Sequence, residues 1–460
     1  MKNNYISNRG YALIKENYNK TEINNIKREL TVKPFVNRNF TQQANPFPVY
    51  LESKKKLYLP KHYGIQKYGK VDEDKSFVGS DIDIEFKYDL RDKQKPVAEK
   101  FLQVSQETGG GIISVPCGFG KTVLALYLLS KLKKKTIVIV HKEFLMEQWK
   151  ERIEFFLPDA RIGKLQGNVI KIKDKDIVLG MLQSISMREY DDEIFKDFGF
   201  VIYDECHHLG AEVFSKSLLK VGCRYTLGLS ATPDRGDGLT KVFKWFLGDI
   251  VYLIKQREQE DVLVKVIKYY DEHDDYSNIK MNFKGQINMP VMITNICLYP
   301  KRNDIILQYL KECISEKRKT LILSDRREHL KVLKKRIEEE TEASSGYYLG
   351  GMKQELLKET EEKDIMLGTF SMASEGFDCK ELDSIVFASP KSSIEQSVGR
   401  ILRKKKEDRT IIPLVIDIID DFSVFGRQGE KRVRFYKKNN YKIENVDLTV
   451  KEKKKKIEKN

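Results

Sequence analysis

Short apolar runs alternate with amphipathic helical stretches in two successive blocks of this 460-residue chain, and that rhythm constrains its fold more than any other feature. In the first block, the run 112–115 leads into a helix over 121–133. The run 136–140 leads into a helix over 144–155, and further runs stand at 177–180, 200–203 and 226–229. The rhythm restarts with a helix over 304–316 and a run at 320–323. A helix over 327–339 and runs at 364–367, 384–387 and 411–416 complete it. Such alternation predicts parallel sheets covered by helices, so the fold class is α/β with two tandem parallel-sheet domains. The expected division is a small basic N-terminal accessory domain at 1–87, a first α/β domain at 88–255 and a connection at 256–300. A second α/β domain at 301–445 and a basic tail at 446–460 complete the chain.

The net charge of +15 is unevenly spread. Residues 1–71 hold 14 Lys/Arg against 4 Asp/Glu, and residues 427–460 hold 13 against 5, so the body between them is close to neutral. A near-neutral engine with two cationic flanks suits a phosphate-rich partner. Ten aromatics lie among the charges of 1–71, including Tyr58, Tyr63 and Tyr68. About half of them are expected in the small domain's core, and the rest could stack on bases. A 40% hydrophobic fraction excludes disorder throughout. No run is long enough to span a membrane. The six cysteines are scattered without a C-x-x-C pair, and the opening residues lack an apolar signal core. An intracellular, non-secreted chain is expected.

Three local motifs bear chemistry. Residues 114–122 read S-V-P-C-G-F-G-K-T between a strand and a helix, the setting a phosphate loop requires. Gly118 and Gly120 let backbone N–H groups turn toward phosphate oxygens at a helix N-terminus. Lys121 is placed to reach the β- and γ-phosphates of ATP, and the Thr122 hydroxyl to bind Mg²⁺. Val115 stands where the first glycine of the G-x-x-x-x-G-K-T pattern would be. The second motif is Asp204-Glu205-Cys206-His207 at the end of an apolar strand. Asp204 is a candidate Mg²⁺ ligand and Glu205 a candidate general base for the attacking water. The third is Ser230-Ala231-Thr232-Pro233, one strand later. In the second block, Arg400 and Arg403 stand three apart in a helix-like segment, which would turn both guanidiniums to one side.

In this order and spacing, these motifs resemble those of the superfamily 2 helicases over about residues 88–445. The resemblance implies two RecA-like domains with ATP in the cleft between them. It makes Gln94 the adenine-recognition residue. It assigns nucleic-acid contacts to Gln183, Ser184 and Thr369, and nucleotide contacts to Gly376 and Asp378. His207, Ser230, Thr232 and Gln396 become coupling residues, and Arg400 and Arg403 the arginine fingers. The D-E-C-H form and the P-C-G-x-G-K loop are similar to XPB-like DNA helicases, although Gly236 stands where those relatives have Glu in an R-E-D element. The layout also resembles the transcript-release helicases of poxviruses and other large DNA viruses. The implied function is an ATP-dependent helicase or translocase on DNA, with transcription-machinery partners and a place in the virion or cytoplasm. An RNA helicase and the motor subunit of a restriction-type complex are the alternatives.

Overall fold

The computed structural model describes residues 4–35, 45–116, 118–210, 212–231, 237–254, 260–283, 285–375, 379–404 and 406–450. The chain divides into two compact units, Met1–Lys255 and Gln256–Asn460.

The first unit holds a small sheet and a large one. In the small sheet the strands run in the order Leu51–Glu52, Lys56–Leu59, Gly10–Ile14, Tyr5–Ser7 and Asp74–Lys75. Alternation along Gly10–Ile14 and Lys56–Leu59 seals Tyr11, Leu13, Leu57 and Leu59 from solvent. Helix Lys20–Glu29 is started by a capping box, in which Asn19 and Glu22 each accept the other's backbone N–H. Helix Lys61–Tyr68 rests on helix Thr240–Leu247, with the Tyr63 ring edge-on to Trp245 at 5.3 Å. The small sheet thereby shares one apolar core with the large one, from Ile6 to Phe246. Tyr63 is buried, and Tyr68 is packed between Tyr11 and Tyr18 with ring centres 6.1 Å apart in each case.

The stretch 72–89 reads as a solvated connector because of its acids, but it is fastened down. Ile82 and Ile84 are buried, Lys135 N–H donates to Ser80 O at 2.8 Å, and Asp81 bridges to Lys134.

The large sheet of this unit has eight strands. Their order is Val169–Lys171, Ile162–Gln166, Ile177–Met181, Thr136–Val140, Phe200–Tyr203, Tyr225–Ser230, Gly110–Ser114 and Ile250–Leu253. All neighbours are parallel except the hairpin at one edge. The inner strands are buried on both faces, which explains their continuous apolar runs.

The second unit has a seven-stranded, all-parallel sheet in the order Ser345–Tyr348, Ile365–Gly368, Thr320–Leu323, Ser384–Phe387, Leu414–Asp420, Leu263–Asp271 and Lys442–Val450. This corrects two sequence expectations. Residues 256–300 are no mere connection: they hold the nine-residue strand Leu263–Asp271 and helix Met289–Leu298. Lys265 and Lys268 disguise that strand: Lys265 is half-buried and paired with Glu312 and Lys268 is exposed, while Val264, Val266 and Ile267 are buried. A boundary at 446 would cut the strand Lys442–Val450, which pairs with Leu263–Asp271 along its whole length. Residues 451–460 lie outside the described residues. Among the described residues, no helix is long and apolar enough to cross a membrane.

Candidate functional site

Three neighbouring strands of the first large sheet end side by side, and register decides which residues emerge from their ends. Ser230 pairs with Ser114, and Tyr203 with Gly228. The loop after Ser114, the acids after Tyr203 and the hydroxyl of Ser230 therefore share the carboxyl edge of the sheet, where open α/β sheets bind ligands.

The loop needs its glycines. Gly118 and Gly120 have φ of +83° and +92°, in the left-handed region. A side chain on Gly120 would also strike the Arg91 guanidinium and the Gln94 amide, each 2.6 Å from the added carbon. Gln94 is buried. Its Nε2 donates to Phe119 O at 3.0 Å and Gly120 O at 3.3 Å, and its Oε1 accepts from Arg91 N–H. Arg91 Nη2 also donates to Phe119 O. Gln94 thus holds the loop's shape through the loop's own carbonyls. Lys121 and Thr122 open the helix Lys121–Leu132 directly after it.

Lys121 Nζ donates to Glu205 Oε1 at 3.0 Å, with both side chains 12% exposed. Glu205 sits at φ +47°, a left-handed conformation that costs a residue with a Cβ roughly 1–2 kcal/mol. Glu205 Oε2 is buried, lies 3.4 Å from His207 Nδ1 and, among the described residues, has no hydrogen-bond partner. Burial alone would raise the Glu205 pKa, but the Lys121 ammonium and then the imidazole of His207 outweigh it and hold the group below its ordinary value. Asp204 moves the other way: burial, then the Glu205 charge, raise it against the pull of Lys121 and the Trp149 indole. The two neighbouring carboxyls are pushed in opposite directions because the ammonium meets Glu205 directly, while Asp204 is dominated by burial. His207 Nδ1 also lies 3.1 Å from Ser230 Oγ, linking the second and third motifs. The His207 and His208 rings lie tilted to one another at 4.4 Å, as do those of His208 and His141 at 4.2 Å.

Gln183 and Ser184 lie in helix Leu182–Met187 and are half-buried. Gln183 Nε2 donates to His141 O at 2.7 Å, and Ser184 Oγ accepts from Gly167 N–H at 2.9 Å. These atoms brace neighbouring segments of the first unit. Thr232 lies outside the described residues, as do Arg235 and Gly236.

In the second unit, Thr369 starts the helix Phe370–Glu375, accepting from the N–H groups of Met372 and Ala373. Its Oγ1 lies 3.2 Å from Ser371 Oγ. Gly376 and Asp378 lie outside the described residues. The expected helix carrying both arginines stops early. It spans only Glu395–Val398 and includes Gln396, while Arg400 and Arg403 stand in the turns beyond. Gly399 N–H donates to Glu395 O at 3.2 Å, the last four-residue bond, and Arg400 N–H donates to Ser397 O at 3.0 Å, a three-residue bond that tightens the chain and ends the helix. Arg400 is 5% exposed and donates from Nε to Ala373 O at 2.6 Å, while Arg403 is half-buried. Both guanidiniums bear on the Tyr348 hydroxyl, which burial nonetheless pushes above its ordinary range.

Arg91 and Trp149 are site residues that motif reading undervalues. The available signal for Trp149 is a donor-only indole at apolar helical spacing with Leu145, Met146 and Ile153, which must find an acceptor when buried.

Residues 87–235 match the family model described as type III restriction enzyme, res subunit. Over 447 residues the chain is 37% identical to a protein of Acanthamoeba polyphaga mimivirus named as an ATP-dependent RNA helicase, L396, covering 95% of this chain and 85% of that one. It is 28% identical over 390 residues to a protein of Invertebrate iridescent virus 6 named as helicase 161L, covering 80% and 85%. Among solved structures, the crystal structure of T4 UvsW covers 94% of this chain and 96% of its own at 20% identity, with a TM-score of 0.37, too low to carry an argument. The mimivirus relative and the motif order together decide the matter: the chain belongs to the superfamily 2 helicases, among those found in large DNA viruses.

Proposed function

We propose that the chain is an ATP-driven DNA translocase or helicase whose hydrolytic centre is the cluster Lys121, Asp204 and Glu205. The observation that supports this best is the buried Lys121–Glu205 ion pair, whose Glu205 Oε2 has no hydrogen-bond partner among the described residues. An ammonium and a carboxylate that meet beside a phosphate loop have a partner to exchange when a triphosphate arrives. Lys121 then turns to the β- and γ-phosphates, and Glu205 is released to accept a proton from the attacking water.

The donor set also fits Mg²⁺. Among the described residues each Asp204 oxygen has one protein donor, from Trp149 or from the Glu205 backbone, and so retains acceptor capacity. Asp204 and Thr122 would hold the ion, which when bound neutralises charge on the phosphate oxygens. His207 and Ser230 pass a change at Glu205 to the third motif. Arg400 and Arg403 are assigned, by resemblance, to stabilising charge on the transferred phosphoryl group. Gln183, Ser184 and Thr369 are assigned to positions along the nucleic acid, with Gln396 coupling it to the nucleotide. Movement results if the nucleic acid is gripped differently with ATP and with ADP.

DNA is favoured over RNA by the D-E-C-H motif and the P-C-G-x-G-K loop. The mimivirus relative's name favours RNA. ATP hydrolysis measured side by side with single-stranded DNA, double-stranded DNA and single-stranded RNA decides between them. We expect the largest stimulation with DNA and none with any polymer in Lys121→Ala. Stimulation by RNA alone overturns the DNA assignment, and a fully active Lys121→Ala overturns the site.

A further inference from the structure

Trp149 belongs to helix Glu143–Phe156 and is 2% exposed, packed in the core of the first large sheet beside Met146, Ile153 and Val138. Its Nε1–H leaves that apolar setting and donates to Asp204 Oδ2 at 2.8 Å. Asp204 Oδ1 accepts the N–H of Glu205 at 3.0 Å. Two donors from different parts of the chain, one per oxygen, fix the plane of the carboxylate. An indole N–H can only donate. It therefore holds an ionised carboxylate in place without competing for a cation. Packing does not need the nitrogen, because phenylalanine could cover most of the same apolar surface.

We infer that Trp149 is the positioning residue for Asp204, setting the carboxylate's orientation toward Mg²⁺ and tying it to the helix Glu143–Phe156. This rests on the reading of Asp204 as a Mg²⁺ ligand. The helix comes directly after His141, whose carbonyl is held by Gln183. A shift of that helix therefore reaches the metal carboxylate through one rigid ring, without a flexible side chain between.

Two measurements on the full-length protein test this. The chain has two tryptophans, so its indole N–H spectrum holds two signals. In the metal-free protein, Asp204→Asn should shift one of them strongly and leave the other, from Trp245, in place. Two unmoved signals would show that the hydrogen bond is absent in solution and overturn the inference, whether or not any Trp149 variant folds. The second measurement is Mg²⁺ dependence. Loss of a hydrogen bond to a charged group should raise the Mg²⁺ needed for half-maximal ADP binding by roughly ten- to a hundredfold in Trp149→Phe. Titration calorimetry reads this without turnover. The double variant with Asp204→Asn should be no worse than Asp204→Asn alone. A Trp149→Phe protein with wild-type Mg²⁺ dependence, alongside an inactive Asp204→Asn, sinks this inference and spares the site. An Asp204→Asn protein with wild-type hydrolysis sinks the site itself.

Discussion

Buried charge is treated in opposite ways in the two units. In the second, Arg302 is fully sealed and every arm of its guanidinium is used: Nε and Nη2 on Asp420 at 2.6 and 3.0 Å, and Nη1 on Ala388 O at 2.6 Å. Tyr276 OH also donates to Asp420 at 2.7 Å. Arg432 repeats the pattern on Asp417, with Tyr436 OH as the added donor. In the first unit, Lys121 donates to Glu205 Oε1, Glu205 adopts a left-handed backbone, and among the described residues its Oε2 has no hydrogen-bond partner. A buried ion pair completed by its own chain is architecture. A buried carboxylate with one oxygen unbonded among the described residues, at the carboxyl edge of a parallel sheet, is a site prepared for something else.

The largest effect that can break this comparison is on rate. Glu205→Gln should lower nucleic-acid-stimulated ATP hydrolysis by about 10²–10⁴-fold, the usual cost of losing a general base. A rate unchanged from wild type would show that the Lys121–Glu205 pair is only structural after all.

The second test exchanges rate for stability. Asp420→Asn leaves the sealed Arg302 without its counter-charge and should cost about 3–5 kcal/mol in denaturant unfolding of the second unit. Glu205→Gln should cost clearly less in the first. Replacing the whole pair, as Arg302→Met with Asp420→Leu, should recover most of the loss, because an apolar pair carries no desolvation penalty. If the double variant is as unstable as the single one, the pair's cost lies in shape rather than in charge, and the contrast between the units fails.

The same contrast explains what is legible in the sequence. The runs 136–140, 200–203, 320–323 and 384–387 coincide with observed strands, because strands buried on both faces carry no charged residue to interrupt the run. The phosphate loop and the Asp204-Glu205 pair are readable because glycines with positive φ and adjacent acids are local requirements. What is not readable is long-range. Trp149 meets Asp204 across 55 positions, and Arg302 meets Asp420 across 118. Nothing in the spacing of these residues announces either contact. Leu263–Asp271 escapes for another reason: its lysines, one paired with Glu312 and one exposed, interrupt the apolar run, and charge alone looks like a linker.

The smallest effect concerns protons, and it separates a sealed histidine from a half-buried one. His329 is fully sealed, with Nδ1 3.0 Å from Ser324 Oγ and Nε2 2.9 Å from Asn303 Oδ1. Burial, and then the Arg302 charge, push its pKa down to about 3. The unfolded chain takes up this proton near the ordinary value of about 6.5, whereas the folded chain refuses it until about pH 3. The second unit's contribution from His329 is therefore complete above pH 6.5 and shrinks as the pH falls toward 3. In the first unit, burial and then the Lys61 charge also lower His62 to about 3, but among the described residues its Nε2 has no hydrogen-bond partner. His329→Gln should flatten the fall in stability of the second unit between pH 6.5 and 5, at the expense of some stability at pH 7, because two hydrogen bonds are disturbed. His62→Gln should flatten the first unit's slope with a smaller penalty at pH 7, because one ring nitrogen has no bond to lose. Equal penalties at pH 7 would mean that completed hydrogen bonding does not mark the second unit's interior as the more rigidly built of the two.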